Sequence, residues 1–355
     1  MQYSDYSFWQ RENLQGDAIN EQLRYWEKKL AGLPVVHNLP LDQVRPSQQT
    51  FQGGVHTSTL NKIQTEQLKV YCKSKNATLF MGLHCAFSIL LSRFSGEKDI
   101  VVGSPTANRE QPEIAGLIGF FVNMLVLRSN VSEGASFSEL IEQSKALLLD
   151  AYANQQVPFE YLLESINPER SSSHSPLFQI MLVLQNNERG EVSLPNLEAE
   201  RIEPPASRLA KYELTLNMME ESGAITLEWE YNTDLFSAST IETMASCFER
   251  LVHRLLEKPD GNVFELGILS ERERHQQLIE WNDTRVDYPH ELCIHELFEQ
   301  QVARSPEAIA VQFGEERLSY QQLNEKSNQL AHYLVTERGV VPDTLVGLCV
   351  ERSVE

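Results

Sequence analysis

The sequence predicts an α/β protein, on three observations. Helix-period and strand-type segments alternate along most of its length. Several apolar runs are too short to be anything but core elements. The 355 residues, 41% hydrophobic and 23% charged, exceed the usual size of one core, so two folding units are expected.

The elements follow in order. Asp17 to Ala31 carries Ile19, Leu23, Trp26 and Leu30 on one helical stripe, stopped by Gly32, and Pro34, Pro40 and Pro46 then hold an extended connector. Leu79 to Leu91 reads as a buried helix with Thr78 as its N-cap and Gly96 past its end. A strand is expected at Asp99 to Ser104, and a second, buried on both faces, at Ile118 to Arg128. That second run holds one amide, Asn123, which must be tied to backbone or face a polar channel. Ser136 to Asn154 is a helix, and Pro158 opens a short one over Phe159 to Ile166. Strands Phe178 to Leu184, Tyr212 to Met218 and Ile225 to Tyr231 precede a helix from Ala238 to Leu256.

The polar stretch Pro259 to Thr284, with a short helix near Glu271 to Trp281, marks the boundary. Beyond it come a helix (Ile294 to Arg304), strands Ala308 to Phe313 and Arg317 to Ser319, a helix (Tyr320 to Thr336) and a strand Leu345 to Val350. The expected division is 1–262, a linker 263–286, and a short unit 287–355 that looks incomplete.

Charge and cysteine content narrow the function. A formal charge of −20 disfavours nucleic acid. No stretch is long and apolar enough for a membrane span, and Met1 to Gln10 lacks a secretory pattern. Five scattered cysteines fit a reducing cytoplasm. His290, Cys293 and His295 lie close together without a fourth ligand, so no metal site is expected. His174 lies in a serine-rich loop and reads as a surface or loop contact, and Ser104 as a strand end.

Four motifs carry more. They are Tyr3-Ser4-Asp5-Tyr6-Ser7-Phe8-Trp9-Gln10; Ile118-Gly119-Phe120-Phe121-Val122-Asn123 with Arg128; Asn154-Gln155-Gln156-Val157-Pro158-Phe159-Glu160; and Ser173-His174-Ser175-Pro176-Leu177-Phe178-Gln179. In this order they resemble the condensation domain of nonribosomal peptide synthetases. Leu269-Ser270-Glu271-Arg272-Glu273 and Trp281-Asn282-Asp283-Thr284 resemble the passage to an adenylation domain, and Leu318-Ser319-Tyr320-Gln321-Gln322-Leu323 its first core motif.

The resemblance implies a chloramphenicol-acetyltransferase-like half-domain, followed by an incomplete α/β N-terminal piece of an adenylate-forming (ANL-type) domain. It implies amide-bond formation between carrier-bound thioesters, with peptidyl carrier domains and their 4'-phosphopantetheine arms as partners, alongside the remaining condensation and adenylation portions of a synthetase. The family's catalytic His-His-x-x-x-Asp-Gly motif has no counterpart here, since none of the nine histidines adjoins another. No catalytic residue is therefore assigned, the isolated chain is expected to be inactive, and ATP is not expected to bind without a phosphate loop. The competing reading is a non-catalytic docking scaffold; a heterocyclisation fragment is a lesser one.

By the same resemblance, Asn123, Arg128, Gln155 and Glu160 are candidates for the substrate tunnel or the interface between halves. Against this stand an amide satisfied by backbone and an arginine at a strand end. The family's usual His and Asp are replaced by Asn154 and Gln156, which removes two titratable groups. Tyr3, Asp5, Trp9, Gly119, Phe121, Pro158, Phe159, Pro176, Leu177 and Tyr320 are taken as structural motif residues.

Overall fold

The computed structural model describes residues 1–13, 16–109, 111–185 and 208–354. They form two compact units, Met1–Arg274 and His275–Glu355.

In the first unit the helices α1 (Tyr3–Asn13) and α2 (Asp17–Leu30) precede strand β1 (Gln52–Leu60), then α3 (Lys62–Ser74) and α4 (Leu79–Ser95). Next come β2 (Asp99–Thr106), a single turn α5 (Pro112–Ala115), β3 (Asn123–Asn130), α6 (Phe137–Ala153) and α7 (Phe159–Ile166). Strands β4 (Ile180–Gln185), β5 (Arg208–Leu209), β6 (Leu214–Glu221) and β7 (Ala224–Asn232) lead to α8 (Ala238–Glu257), and α9 (Glu271–His275) runs across the seam.

The seven strands make one mixed sheet in the order β3-β2-β4-β6-β7-β1-β5. The β2–β4 and β4–β6 pairs are parallel and the rest antiparallel. Alternation splits the sheet into two faces. Leu182, Leu214, Leu216, Leu227 and Trp229 point into the main core under α3, α4 and α8. Its centre is an aromatic triad: Trp229 lies 6.1 Å from Phe87 of α4 and 5.8 Å from Phe248 of α8, ring centre to ring centre, near edge-on. The alternate residues Met181, Val183, Thr215, Asn217 and Glu230 face the other way.

Helix α4 starts where its chemistry allows. Thr78 Oγ1 accepts the Met81 N–H, and Gly96, at φ +73°, closes the end. Helix α6 starts at Ser136 with a reciprocal bond to Glu139.

Several expectations are corrected. The strand expected from Ile118 begins only at Asn123, because its partner β2 ends at Thr106, the residue opposite Asn123. Ile118 and Phe120 are exposed, while Phe121 turns inward onto α1. Pro158 sits just ahead of α7 in extended conformation, not inside its first turn. The Glu271 helix changes to a π-helical turn at Gln276–Glu280. Helices α1 and α3, the turn α5 and strands β1 and β5 had no expectation; β1 reads Gln-Gly-Gly-Val-His-Thr-Ser-Thr-Leu, too polar to show period-two burial.

The second unit contains α10 (Ile294–Arg304), a hairpin of β8 (Ile309–Phe313) and β9 (Glu316–Ser319), and α11 (Tyr320–Arg338). Gly314, at φ +60°, makes the hairpin turn. The strand expected at Leu345 to Val350 is absent: the segment has no ladder partner among the described residues, and Leu345 and Leu348 are exposed.

Candidate functional site

The polar-tending face of the sheet floors a cleft of about 750 Å³ within the first unit. Met181, Val183, Thr215 and Asn217 form the floor, and Lys211, Tyr212 and Glu230 lie along one side. Tyr3 and Gln10 of α1, the 120–124 segment, and Pro158, Phe159 and Glu160 at the start of α7 form the other.

Asn123 organises that second wall. Its Nδ2 donates to the carbonyls of Gln155 (2.8 Å) and Val157 (2.7 Å), and its Oδ1 accepts the Phe159 N–H (3.1 Å). One buried amide thereby fixes the whole α6–α7 connection. It also supplies a cap that Pro158 has no side chain to give. The two alternatives open at sequence level coincide: Asn123 is tied to backbone and borders the cleft.

Gln155 is buried behind this wall, its Oε1 accepting from Thr106 Oγ1 at 2.7 Å, where β2 ends. Glu160 is exposed on the cleft itself. Arg128 is not brought to the cleft. It lies at the other end of β3, where its guanidinium forks onto Asp99 (Nε–Oδ1 2.9 Å, Nη2–Oδ2 2.7 Å). It also donates to the carbonyls of Lys29, Ala31 and Gly32 past the end of α2. That is a clamp on a helix C-terminus, and the Asp99 contact holds the guanidinium pKa above its ordinary value.

The motif residues of α1 meet those of the 118–121 segment. Tyr3 donates to the Phe120 carbonyl (2.9 Å) and stands edge-on to Phe121 at 5.2 Å; Tyr6 lies 4.7 Å from the same ring. Arg109 caps its other side at 4.1 Å. Gly119 is required by this approach, since a Cβ there would come within 2.3 Å of the Tyr3 ring. Asp5 accepts the Gln2 N–H at the start of α1, and Trp9 stays half exposed beside Tyr6.

Pro176 and Leu177 form a tight γ-turn, with Leu177 at φ +64° and the Phe178 N–H reaching the Pro176 carbonyl at 2.8 Å. The turn seats Phe178 on Gly103, where a Cβ would lie 2.1 Å from the ring. His174, expected at the surface or in a loop, is in a loop but buried beside the Ser175 carbonyl. Tyr320 opens α11 in the second unit, packed on Phe298 at 5.9 Å.

One buried cluster had no sequence signal. Glu213, 2% exposed, is bound by Arg45 and by His37 Nε2 at 2.8 Å. His37 Nδ1 accepts the Leu39 N–H, so neither ring nitrogen is open to a substrate. The arrangement resembles a base–orienter pair but works as a brace. Its partners are separated by 176 and 168 positions, beyond the reach of any local pattern.

Among the described residues there is no group of side chains that could hold a metal, and no single helix is long and apolar enough to cross a membrane. All five cysteines are free. Among the described residues the cleft lining contains no histidine or cysteine. It can select by shape, apolar contact and hydrogen bonding, with Glu160, Lys211 and Glu230 as its charged groups.

The condensation-domain family matches residues 1–278, and the AMP-binding enzymes match residues 298–355. A linear gramicidin synthase protein of Brevibacillus parabrevis is 41% identical across 100% of this chain, which spans 7% of that protein. Malpinin synthetase of Mortierella alpina is 40% identical across 99% of the chain, which spans 4% of it. Among solved structures, a four-domain nonribosomal peptide synthetase, holo-AB3403 bound to AMP and glycine, superposes with a TM-score of 0.73 at 24% identity. That match covers 90% of this chain and 25% of the other. The X-domain from teicoplanin biosynthesis gives 0.70 at 24% identity, covering 76% and 62%. These likenesses bear on fold. With the ordered motifs and the sequence match over most of its length, the chain belongs to the condensation-domain family of nonribosomal peptide synthetases and runs on into the start of an AMP-binding domain.

Proposed function

We propose that the first unit is one lobe of an amide-bond-forming condensation domain, and that its cleft is one wall of the reaction tunnel. The observation that carries this reading is the braced wall. Asn123, the α7 start and α1 are each fixed by contacts that present Phe121, Phe159 and Glu160 beside a sheet floor. Rigid placement of two reactants is worth roughly 7–11 kcal/mol in well-oriented systems. Positioning is what this lobe can supply.

The partners in this reading are peptidyl carrier domains. Thr215 and Asn217, neutral hydrogen-bonding groups between Met181 and Val183, suit a slim, uncharged pantetheine arm, and that arm when bound supplies the thioester. Among the described residues the cleft offers no histidine base for the attacking amine, only the carboxylates of Glu160 and Glu230, since the paired histidines of the family are not encoded here. By themselves these residues are therefore inactive in peptide-bond formation. Arg128 serves the same lobe from a distance, by fixing β3 against α2. We assign no ATP chemistry to residues 287–355.

The test supplies aminoacyl-loaded carrier proteins to residues 1–355 alone, and to the same residues joined to a lobe bearing the paired histidines. Dipeptidyl thioester, read by mass spectrometry, is expected only in the second case. Product from residues 1–355 alone would overturn the assignment, and no product in either case would favour a docking scaffold.

A further inference from the structure

We propose that Phe178 is a specificity-determining residue of the cleft: its ring is the partition that ends the cleft at the floor, and it sets the length of the aliphatic group the cleft admits. This rests on the reading of the cleft as one wall of the reaction tunnel.

The sheet is split beside this ring. Strands β2 and β4 meet at a single residue pair, Gly103 with Met181. On one side of that pair is the cleft, lined by Pro105 and Met181; on the other, towards Val101 and Ile180, lies a hollow of about 130 Å³. The two spaces have no lining residue in common. Alternation along β2 puts Val101, Gly103 and Pro105 on one face. Val101 lines the hollow and Pro105 the cleft, and between them Gly103 has no side chain. The Phe178 ring fills that space, since a Cβ on Gly103 would lie 2.1 Å from it.

The ring is held in place from several directions. It stacks on Tyr212 at 5.3 Å and leans on Phe159 at 5.8 Å, and both of those residues line the cleft. Its neighbour Leu177 lines the hollow, at φ +64°, a region that a bulky side chain rarely adopts. Strain of this kind persists only where the surroundings over-determine it, and it collects at ligand clamps. The hollow is preformed as well. Gln179 accepts the His37 N–H (3.1 Å) and donates to the Val35 carbonyl (3.3 Å), which pins the connector forming one of its walls.

Removing the ring therefore joins the two spaces. A cavity of about 150 Å³ accepts a molecule the size of benzene, so the hollow adds room for about four to five carbons of an unbranched chain. Its bed is apolar, with Leu91, Ile100, Val101 and Ile180 on the walls. With Phe178 in place the cleft stops short of this bed and favours compact acyl groups over long ones.

The test titrates residues 1–355 by calorimetry with two non-hydrolysable probes, the acetyl and hexanoyl amides of aminopantetheine. The parent should favour the acetyl probe, and Phe178→Ala should shift the affinity ratio at least fivefold towards hexanoyl. Phe178→Leu should fall between them, and it decides the matter where the alanine variant does not fold, because it leaves a smaller cavity. A crystal structure of the variant under xenon should show gas in one continuous space from Pro105 to Val101. A merely structural role for the ring would weaken both probes alike, and that result, or an unchanged ratio, would overturn the proposal. So would a xenon structure in which Tyr212 and Leu177 have closed the gap. Xenon in the joined space, with neither probe binding any of the proteins, would uphold the partition and remove the tunnel reading instead.

Discussion

The amide oxygen of Asn123 accepts the backbone N–H of Phe159, so a residue at the start of β3 caps a helix 36 positions later. The same side chain holds two carbonyls of the preceding loop. Asn123→Ala leaves three buried backbone groups unpaired, and a loss of about 2–4 kcal/mol is expected. Asn123→Asp keeps the cap but sets a carboxylate against two carbonyls, so it should be no better at neutral pH. Urea denaturation checks both, with the midpoint falling and the slope unchanged. A shift below about 0.5 kcal/mol for Asn123→Ala would remove Asn123 as the organiser of the wall.

Arg128 and Asp99 meet through two parallel bonds, and the remaining donors close the end of α2. Lysine cannot reproduce that fork. Arg128→Lys should cost about 1–3 kcal/mol and speed hydrogen exchange in the last turn of α2 more than in α6. Equal exchange in both helices would mean that the clamp is not what holds α2.

How much of this was legible follows from the distance over which each signal acts. Thr78 and Gly96 bracket α4, and Ser136 starts α6, because caps are local chemistry. The unusual amide at Asn123 was visible as a polar atom in an apolar run, but its three partners lie more than 30 positions away. Apolar content could not show where β3 starts, since Ile118 and Phe120 are as hydrophobic as core residues; the end of β2 decides it. For the same reason the His37–Glu213–Arg45 brace and the β1–β7 pairing could not be read: both exist only once distant segments meet.

Burial alone would raise the Glu213 carboxyl, but the hydrogen bonds from His37 and Arg45 outweigh it and hold the pKa below the ordinary carboxylate value. A depressed carboxylate stabilises the fold above its unfolded pKa and loses that contribution as pH falls through the folded one. Glu213→Gln should therefore be destabilised at pH 7 and differ less from the parent as pH drops below about 4. Parallel pH dependence of the two proteins would refute this.

His84 acts in a separate window. Burial pushes its pKa down to about 4, and Nε2 has no partner. The unfolded chain takes up the proton first, so stability falls as pH drops from about 6.5 towards 4. His84→Leu should flatten that part of the stability curve while costing little at pH 7, because the Ser144 hydroxyl still reaches the Met81 carbonyl. Denaturation midpoints at pH 7 and pH 5 decide it: an unchanged drop in the variant would place the acid sensitivity elsewhere.

Gly119 links the cleft to the small aromatic cluster. Its missing Cβ is the space into which the Tyr3 ring fits, and Phe121 also closes on it. Gly119→Ala must therefore displace either the loop or α1. The cluster of Tyr3, Tyr6, Ile114, Leu117 and Phe121 is small and separate from the two larger cores, so α1 should yield. The expected result is faster hydrogen exchange over α1 with little change in the global denaturation midpoint, since the sheet is untouched. Tyr3→Ala in the same background should make the second substitution much milder, because the tightest clash is gone and only the Phe121 ring, at 2.9 Å, still has to give. Additive effects on exchange would show that the tyrosine ring is not what the glycine accommodates.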